Sequence, residues 1–263
     1  MIESPPLVDF RIIEETDDYA VVDKPSFLLI HPTKPDGTRT LWQELRGLFA
    51  YEIASGGQVS IVNRLDRETS GLVLVAKKSD VARRFGLLMQ RRQLRKEYLA
   101  IVWGWPEWQS KIVNAPLARQ GKHQRSAIWL KQMIHPDGAP AQTEFRVEQR
   151  FFRGAPNASS DRTAHALLTE KFSLVRAVPR TGRTHQIRVH LASLGHPVVG
   201  DKIYGADEQL YLRFIEAGWN PELERQLLLP RHALHSAKLA IKGEHKWTSL
   251  LPQDLAEFCR GDL

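Results

Sequence analysis

The chain has 263 residues, 42% hydrophobic and 25% charged, the balance of a globular protein long enough to bury a core without disulfides or metals. Its net charge of +7 favours polyanionic partners, and its one cysteine, Cys259, excludes an internal disulfide or a cysteine-based zinc site. No apolar run approaches the roughly 18–20 residues that span a bilayer, and Met1 to Asp9 lacks the basic start and apolar stretch of a secretory signal. A cytoplasmic protein with no membrane association is expected.

Arg11 to Glu15 and Tyr19 to Asp23 are short β-prone runs, and Thr16-Asp17-Asp18 between them predicts a hairpin turn. Lys24-Pro25-Ser26 ends the second strand. Thr40 and Gln43 have the spacing of a capping box, with Leu41, Leu45 and Leu48 as the apolar stripe of the helix that follows. Gly71 to Lys77 predicts a buried strand, and Ser79 a cap for a helix that buries Val81, Phe85, Leu88 and Met89. Tyr98 to Val102 is apolar on both faces. Glu144 to Glu148 alternates, with Phe145 and Val147 inward, and Arg153 to Asp161 has the composition of an exposed loop. A strand is expected near Phe172 to Val178. Thr184 then predicts the cap of a helix with Ile187, Leu191 and Leu194 on one face and Gly195 closing it. Ala233 to Ile241 alternates again, and Cys259 is expected to pack on a C-terminal helix. Helices and strands mix without a βαβ rhythm, which predicts an α+β fold with a mixed, mostly antiparallel sheet. No repeat or long linker appears, so residues 1–263 read as a single domain.

The positive charge is concentrated. Arg83, Arg84, Arg91, Arg92, Arg95 and Lys96 lie in one stretch without an acidic residue, and Lys111, Arg119, Lys122, Arg125 and Lys131 in another. Such runs suit phosphate contacts, although a solvated face is the plainer reading of any single run. Tyr98, Trp103, Trp105, Trp108 and Trp129 are interleaved with them. Aromatic faces can stack on unpaired bases, but most of these tryptophans are expected in the core, whereas Tyr98 follows the first basic run directly.

Two polar segments are candidates for chemistry. Asn63 to Gly71 precedes a strand and sets Asp66 between Arg64 and Arg67, cations that favour an ionised carboxylate able to act as nucleophile or base. A turn aspartate bonded to its own backbone is the plainer alternative. The second segment, Arg180 to His190, opens a helix. Arg188 lies off the Ile187–Leu191–Leu194 stripe, where it can reach a carboxylate such as Asp66. A basic helix end in solvent is the alternative.

Arg64-Leu65-Asp66 followed by Thr69-Ser70-Gly71 resembles the catalytic motif of the RluA-type pseudouridine synthases, which modify large-subunit ribosomal RNA and tRNA. Gly182 to His190, Gly195-His196-Pro197, Gly200-Asp201, Asp23-Lys24-Pro25 with His31-Pro32, and Arg95-Lys96-Glu97-Tyr98 match the family in order and spacing, so the resemblance covers about residues 10 to 242. It implies a pseudouridine synthase catalytic domain with a central active-site cleft, an isomerase that flips a uridine out of rRNA or tRNA, and no cofactor or metal. It assigns Asp66, Arg188 and Tyr98 to catalysis: the essential carboxylate, its basic partner, and the ring against the flipped uracil. Arg64 matches the residue that fills the vacated space, and Leu234 lies near an apolar residue beneath the base. With them, Arg67, Arg95, Lys96, Arg183 and His185 are the expected RNA-binding set. The family usually has histidine where this chain has Asn63; the chemistry does not run through that side chain. The small N-terminal RNA-binding domain of many relatives has no counterpart before Phe10, so recognition is expected from the catalytic domain, acting as a monomer with no obligatory protein partner. Competing readings are a catalytically silent RNA-binding protein or chaperone, and a hydrolase with paired carboxylates, for which Glu68 is the only near second acid.

Overall fold

The computed structural model describes residues 10–32, 37–154, 169–205 and 207–260. In chain order the elements are β1 (Arg11–Glu15), β2 (Tyr19–Lys24), α1 (Leu41–Leu48), α2 (Ala50–Ala54), β3 (Ser60–Ile61), β4 (Ser70–Ala76), α3 (Ser79–Gln90), β5 (Leu94–Trp103), β6 (Ser110–Asn114), β7 (Leu117–Arg119), a 3-10 turn (Gln120–Lys122), β8 (Gln132–Ile134), β9 (Gln142–Gly154), β10 (Thr169–Pro179), α4 (Gln186–Ser193), α5 (Gln209–Ala217), α6 (Pro221–Leu227), β11 (Leu234–Ile241), β12 (His245–Thr248) and α7 (Gln253–Arg260). The class is α+β with a large, mostly antiparallel sheet, as the sequence predicts. The chain divides into two compact units, Met1–Lys96 with Ser236–Leu250, and Glu97–His235 with Leu251–Leu263.

In the first unit the strand order is β1-β2-β4-β11, with β3 beside β4 and β12 beside β11. Thr16 makes the predicted hairpin turn, its Oγ1 accepting from the Asp18 and Tyr19 amides. All seven residues of β4 are buried, and α3 places Val81 and Phe85 against Tyr19, Leu72, Leu74, Leu239 and Trp247. Thr40 caps α1 as expected, accepting from the Gln43 amide. Leu48, however, is 43% exposed, and Phe49 is buried in its place. Leu41, Leu45 and Phe49 follow an i, i+4, i+8 row, and Leu48 falls at its edge. Ser79 is not the cap of α3. The Lys77 amide is still bonded to Asp18, so Lys78 becomes the junction and the helix starts without a side-chain cap.

The second unit contains the strand order β5-β10-β9-β6 and the separate β7-β8 pair. Phe145 and Val147 point inward as predicted. Phe172 packs edge-on to Phe258 of α7 at 5.1 Å, and on that helix Cys259 is a buried packing residue, its thiol pushed up to about 11 by burial. Most of the loop expected at Arg153 to Asp161 lies outside the described residues. α4 differs from its predicted form. Its N-cap is His185, with φ of 55° and no side-chain cap bond, rather than Thr184. Instead Gln186 reaches back, its Oε1 accepting from the Arg183 amide and the Thr181 hydroxyl. Gly195 does close the helix, with φ of 79° and the paired bonds Gly195 N to Ala192 O and His196 N to Leu191 O. α5 and α6, joined through Leu210, Leu223 and Leu227, were not marked by the sequence reading. No helix among the described residues is long and apolar enough to cross a membrane.

Candidate active site

Asp66 sits on the turn that joins β3 to β4 in the first unit, and the Thr69 amide bonds back to its carbonyl at 3.1 Å. Asp66 is half-buried, Leu65 beneath it is buried, and Arg64 and Arg67 on either side are exposed. Three contacts fix this turn. Lys24, fully buried at the end of β2, donates its Nζ to the carbonyls of Pro25, Leu28 and Arg67 at 2.7, 2.9 and 3.2 Å. A buried ammonium shared by three carbonyls ties the turn to the strand before it. Asn63 is also buried, and its amide bonds the Leu72 carbonyl and the Leu74 amide at 3.0 and 2.8 Å, continuing the pairing of β4 where β3 has ended. The residue that departs from the family pattern therefore has a backbone-completing role. Gly71 has φ of 110°, and a Cβ there would lie 2.3 Å from the Ser236 carbonyl, so only glycine fits. Nearby, Arg67 donates to the Phe27 carbonyl at 3.3 Å. Burial, then the Arg64 charge, lower the pKa of His31.

Arg95 and Lys96 belong to β5 rather than to the loop before it. Arg95 is exposed. Lys96 is buried, and desolvation lowers its pKa, so it does not present its charge at the surface like its neighbours in sequence. Tyr98, 7% exposed, pairs with Ala177 of β10. Glu97 takes the opposite strand face and binds Arg176 at 2.8 Å.

In the second unit, Arg188, off the apolar stripe, is 4% exposed and bound to a carboxylate. Its Nε and Nη2 grip both oxygens of Asp201 at 2.6 and 2.8 Å. Asp201 is itself buried, and its Oδ1 accepts from the Ile203 and Tyr204 amides at 3.0 Å each. Burial pushes this carboxyl upward, but the Arg188 charge and hydrogen bonds outweigh it and hold the group well below the usual carboxylate range. The Arg188 guanidinium also lies 5.0 Å from the Tyr204 ring centre, and the Tyr204 hydroxyl bonds His185 Nδ1 at 2.8 Å. Arg188 and His185 are thus gathered on one tyrosine. His190 is buried too, its Nε2 directed to the Ala115 carbonyl at 3.0 Å and its Nδ1 to Thr143 Oγ1 at 2.9 Å. Burial lowers its pKa, outweighing the bond to the Ala115 carbonyl. These buried partners rule out a basic helix end turned to solvent. Arg183 does stay exposed, with its Nε on the Pro140 carbonyl. Leu234 is buried at the start of β11.

Sequence reasoning gave no role to Lys24, Asp201 or Tyr204. The first two lie in quoted motifs, whereas nothing local marks Tyr204. The basic runs are partly compensated: Arg84 pairs with Glu244, and Lys131 with Glu208. Among the described residues, one group has the composition of a metal site, His123, His135 and Asp137, with ligand atoms within 4.8 Å of one another. The two imidazoles are stacked, with centroids 3.6 Å apart and planes 24° apart. Their in-plane lone pairs therefore do not converge on a common point, and the arrangement does not fit a bound ion.

The chain matches the RNA pseudouridylate synthase family over residues 18–193. It is 32% identical over 255 residues to the ribosomal large subunit pseudouridine synthase D of Nitrosomonas europaea, covering 95% of this chain and 64% of that protein. With the protein of the same name from Haemophilus ducreyi it shares 34% identity over 205 residues, 76% of this chain and 54% of the relative. The Escherichia coli protein of that name is 32% identical over 259 residues, 95% of this chain and 69% of its own length. The chain thus spans between about half and just over two thirds of these relatives. Among solved structures, human RNA pseudouridylate synthase domain containing 4 superposes with a TM-score of 0.66 at 23% identity, covering 95% of this chain and 91% of that one, a likeness of fold. The motif turn around Asp66, the Arg188 helix and the extent of these matches together show that the chain belongs to the RNA pseudouridylate synthase family.

Proposed function

We propose that this protein is an RNA pseudouridine synthase that isomerises uridine in large-subunit ribosomal RNA. The observation that carries the reading is the setting of Asp66: a half-buried carboxylate between two exposed arginines, on a turn held by Lys24, Asn63 and Gly71. A turn aspartate that only capped its own backbone would not need such an anchored frame. The names of the relatives point to ribosomal RNA as the substrate.

The reaction breaks the bond between ribose and the base nitrogen, turns the uracil, and rejoins it through carbon, so the composition of the RNA does not change. A stacked uridine must first leave the helix, at a cost of a few kcal/mol. Arg64 fills the vacated space, and Tyr98 holds the flipped base, with Leu234 as apolar packing. Asp66 serves as nucleophile at the sugar or as base towards a sugar proton; both routes need the ionised carboxylate and both end with Asp66→Asn. By the family resemblance Arg188, oriented by Asp201, has the role of the basic residue that favours that form. Arg67, Arg95, Arg183 and His185 contact the RNA backbone, and Lys96 supports the strand that carries Tyr98. The protein works in the cytoplasm as a monomer, without a cofactor.

The test is pseudouridine mapping of total RNA from cells with and without the gene, complemented by wild type or by Asp66→Ala. Sites lost on deletion and restored only by wild type support the proposal and name the target. An unchanged map under adequate expression would favour an RNA-binding protein or chaperone instead.

A further inference from the structure

All seven tryptophans lie among the described residues, and Trp129 is the one that is exposed, at 72%. Most of the tryptophans were expected in the core, and this one is not there. It stands on the excursion between β7 and β8, which is otherwise well anchored. Ile128 is buried with Leu117, Val189 and Tyr204, and the Gln132 amide bonds the Tyr204 hydroxyl at 2.8 Å. The ring therefore projects from a fixed base. Its orientation is also set, because the Arg119 guanidinium lies 3.7 Å from the ring centre. The Arg119 Nε is buried without a hydrogen bond, and the guanidinium lies on the ring face. Lys122 and Arg125 are exposed on the same excursion, whose span from Arg119 to Lys131 contains no acidic residue. Carboxylates facing it from elsewhere are Glu208 on Lys131 and Asp137 beside His135.

We propose that Trp129 is a stacking platform for an unpaired base of the RNA substrate, with Arg119 backing the ring and Lys122 and Arg125 meeting the adjacent phosphates. An exposed aromatic backed by a cation and flanked by uncompensated positive charge is the chemistry of single-stranded nucleic acid binding. The excursion also shares Tyr204 with Arg188 and His185, which places the platform beside residues assigned to the reaction. A protein partner would gain from the apolar ring but not from the cations around it. This inference rests on the RNA reading given above and adds a contact outside the reacting nucleotide.

The experiment measures affinity of wild type, Trp129→Ala and Trp129→Phe for a fluorescent single-stranded oligouridylate and for a blunt RNA duplex of equal length, over a range of salt. Trp129→Ala is expected to weaken single-strand binding about tenfold, with Trp129→Phe within about threefold of wild type. Stacking releases no counterions, so the salt slope stays as in wild type, and duplex binding does not change. With a large-subunit rRNA transcript the loss appears in KM. Circular dichroism confirms that the variants are folded. Equal affinity of Trp129→Ala and wild type for the single strand overturns the platform, as does an equal loss on single strand and duplex. A change in self-association with no change in RNA binding also overturns it. If wild type pseudouridylates the transcript while Trp129→Ala has the same KM, this inference alone falls. If wild type neither binds nor modifies RNA, it falls together with the proposed function.

Discussion

Replacing Asp201 with asparagine isolates the ion pair that orients Arg188. Oδ1 accepts from the Ile203 and Tyr204 amides and from Arg188 Nη2, while Oδ2 accepts from Arg188 Nε. Asparagine keeps one oxygen for the two backbone amides but turns an NH2 towards Arg188 Nε, donor against donor. The guanidinium, with its side chain 5% exposed, then stays buried while losing the charge of Asp201. Removing one partner of a buried pair costs about 3–5 kcal/mol. For a chain of this size that lowers Tm by roughly 6–20 °C. Thermal unfolding by circular dichroism at neutral pH measures it. The pH dependence adds a second reading. The folded-state pKa of Asp201 lies below its unfolded value. The pair therefore contributes fully above the ordinary aspartate pKa of about 3.9 and is lost as pH falls through the lower folded value. Asp201→Asn should lose less stability on acidification than wild type. Pseudouridine formation should also drop, because Arg188 loses its orientation. A variant that melts within about 2 °C of wild type, at 2–4 °C per kcal/mol, and keeps full turnover would refute the reasoning.

Two further substitutions probe the frame of the Asp66 turn, and a third probes backbone strain after α3. Lys24→Met leaves the carbonyls of Pro25, Leu28 and Arg67 without their buried donor, and urea unfolding should show a loss of about 2–4 kcal/mol with a steep fall in turnover. Gly71→Ala drives a Cβ into the Ser236 carbonyl at a positive φ and should cost about 2–5 kcal/mol by the same assay, or abolish soluble expression. Arg92 adopts φ of 58° just after α3, so Arg92→Gly should raise stability by about 0.5–1 kcal/mol in chemical denaturation.

Strand alternation, the Thr16 hairpin, the Thr40 cap and the Gly195 helix end were legible because each depends on residues within a few positions. So was the Asp66 segment, through its charge pattern and its family resemblance. For Arg188 the helical stripe left open whether the side chain is buried. The stripe of Ile187 and Leu191 suggests one wet face, yet α4 is enclosed on several sides, with Asp201, Thr143 and the Ala115 carbonyl satisfying its polar residues. Those partners lie tens of residues away in the chain or across another element, beyond the reach of helical periodicity. Lys24 shows the same limit: a lysine at a strand end reads as solvated until its bond to Arg67, 43 positions on, is seen. Trp129 shows the converse, since composition cannot tell an exposed tryptophan from a core one.

The account turns on the chemistry of Asp66, and the most direct measurement is pseudouridine formation by the purified protein on an unmodified large-subunit rRNA transcript, read by site-specific mapping beside Asp66→Asn. Wild type is expected to produce pseudouridine at defined positions, and Asp66→Asn to bind the transcript with wild-type affinity while producing none. Turnover that survives in Asp66→Asn, or a wild-type protein that binds the transcript without isomerising it, would contradict the account.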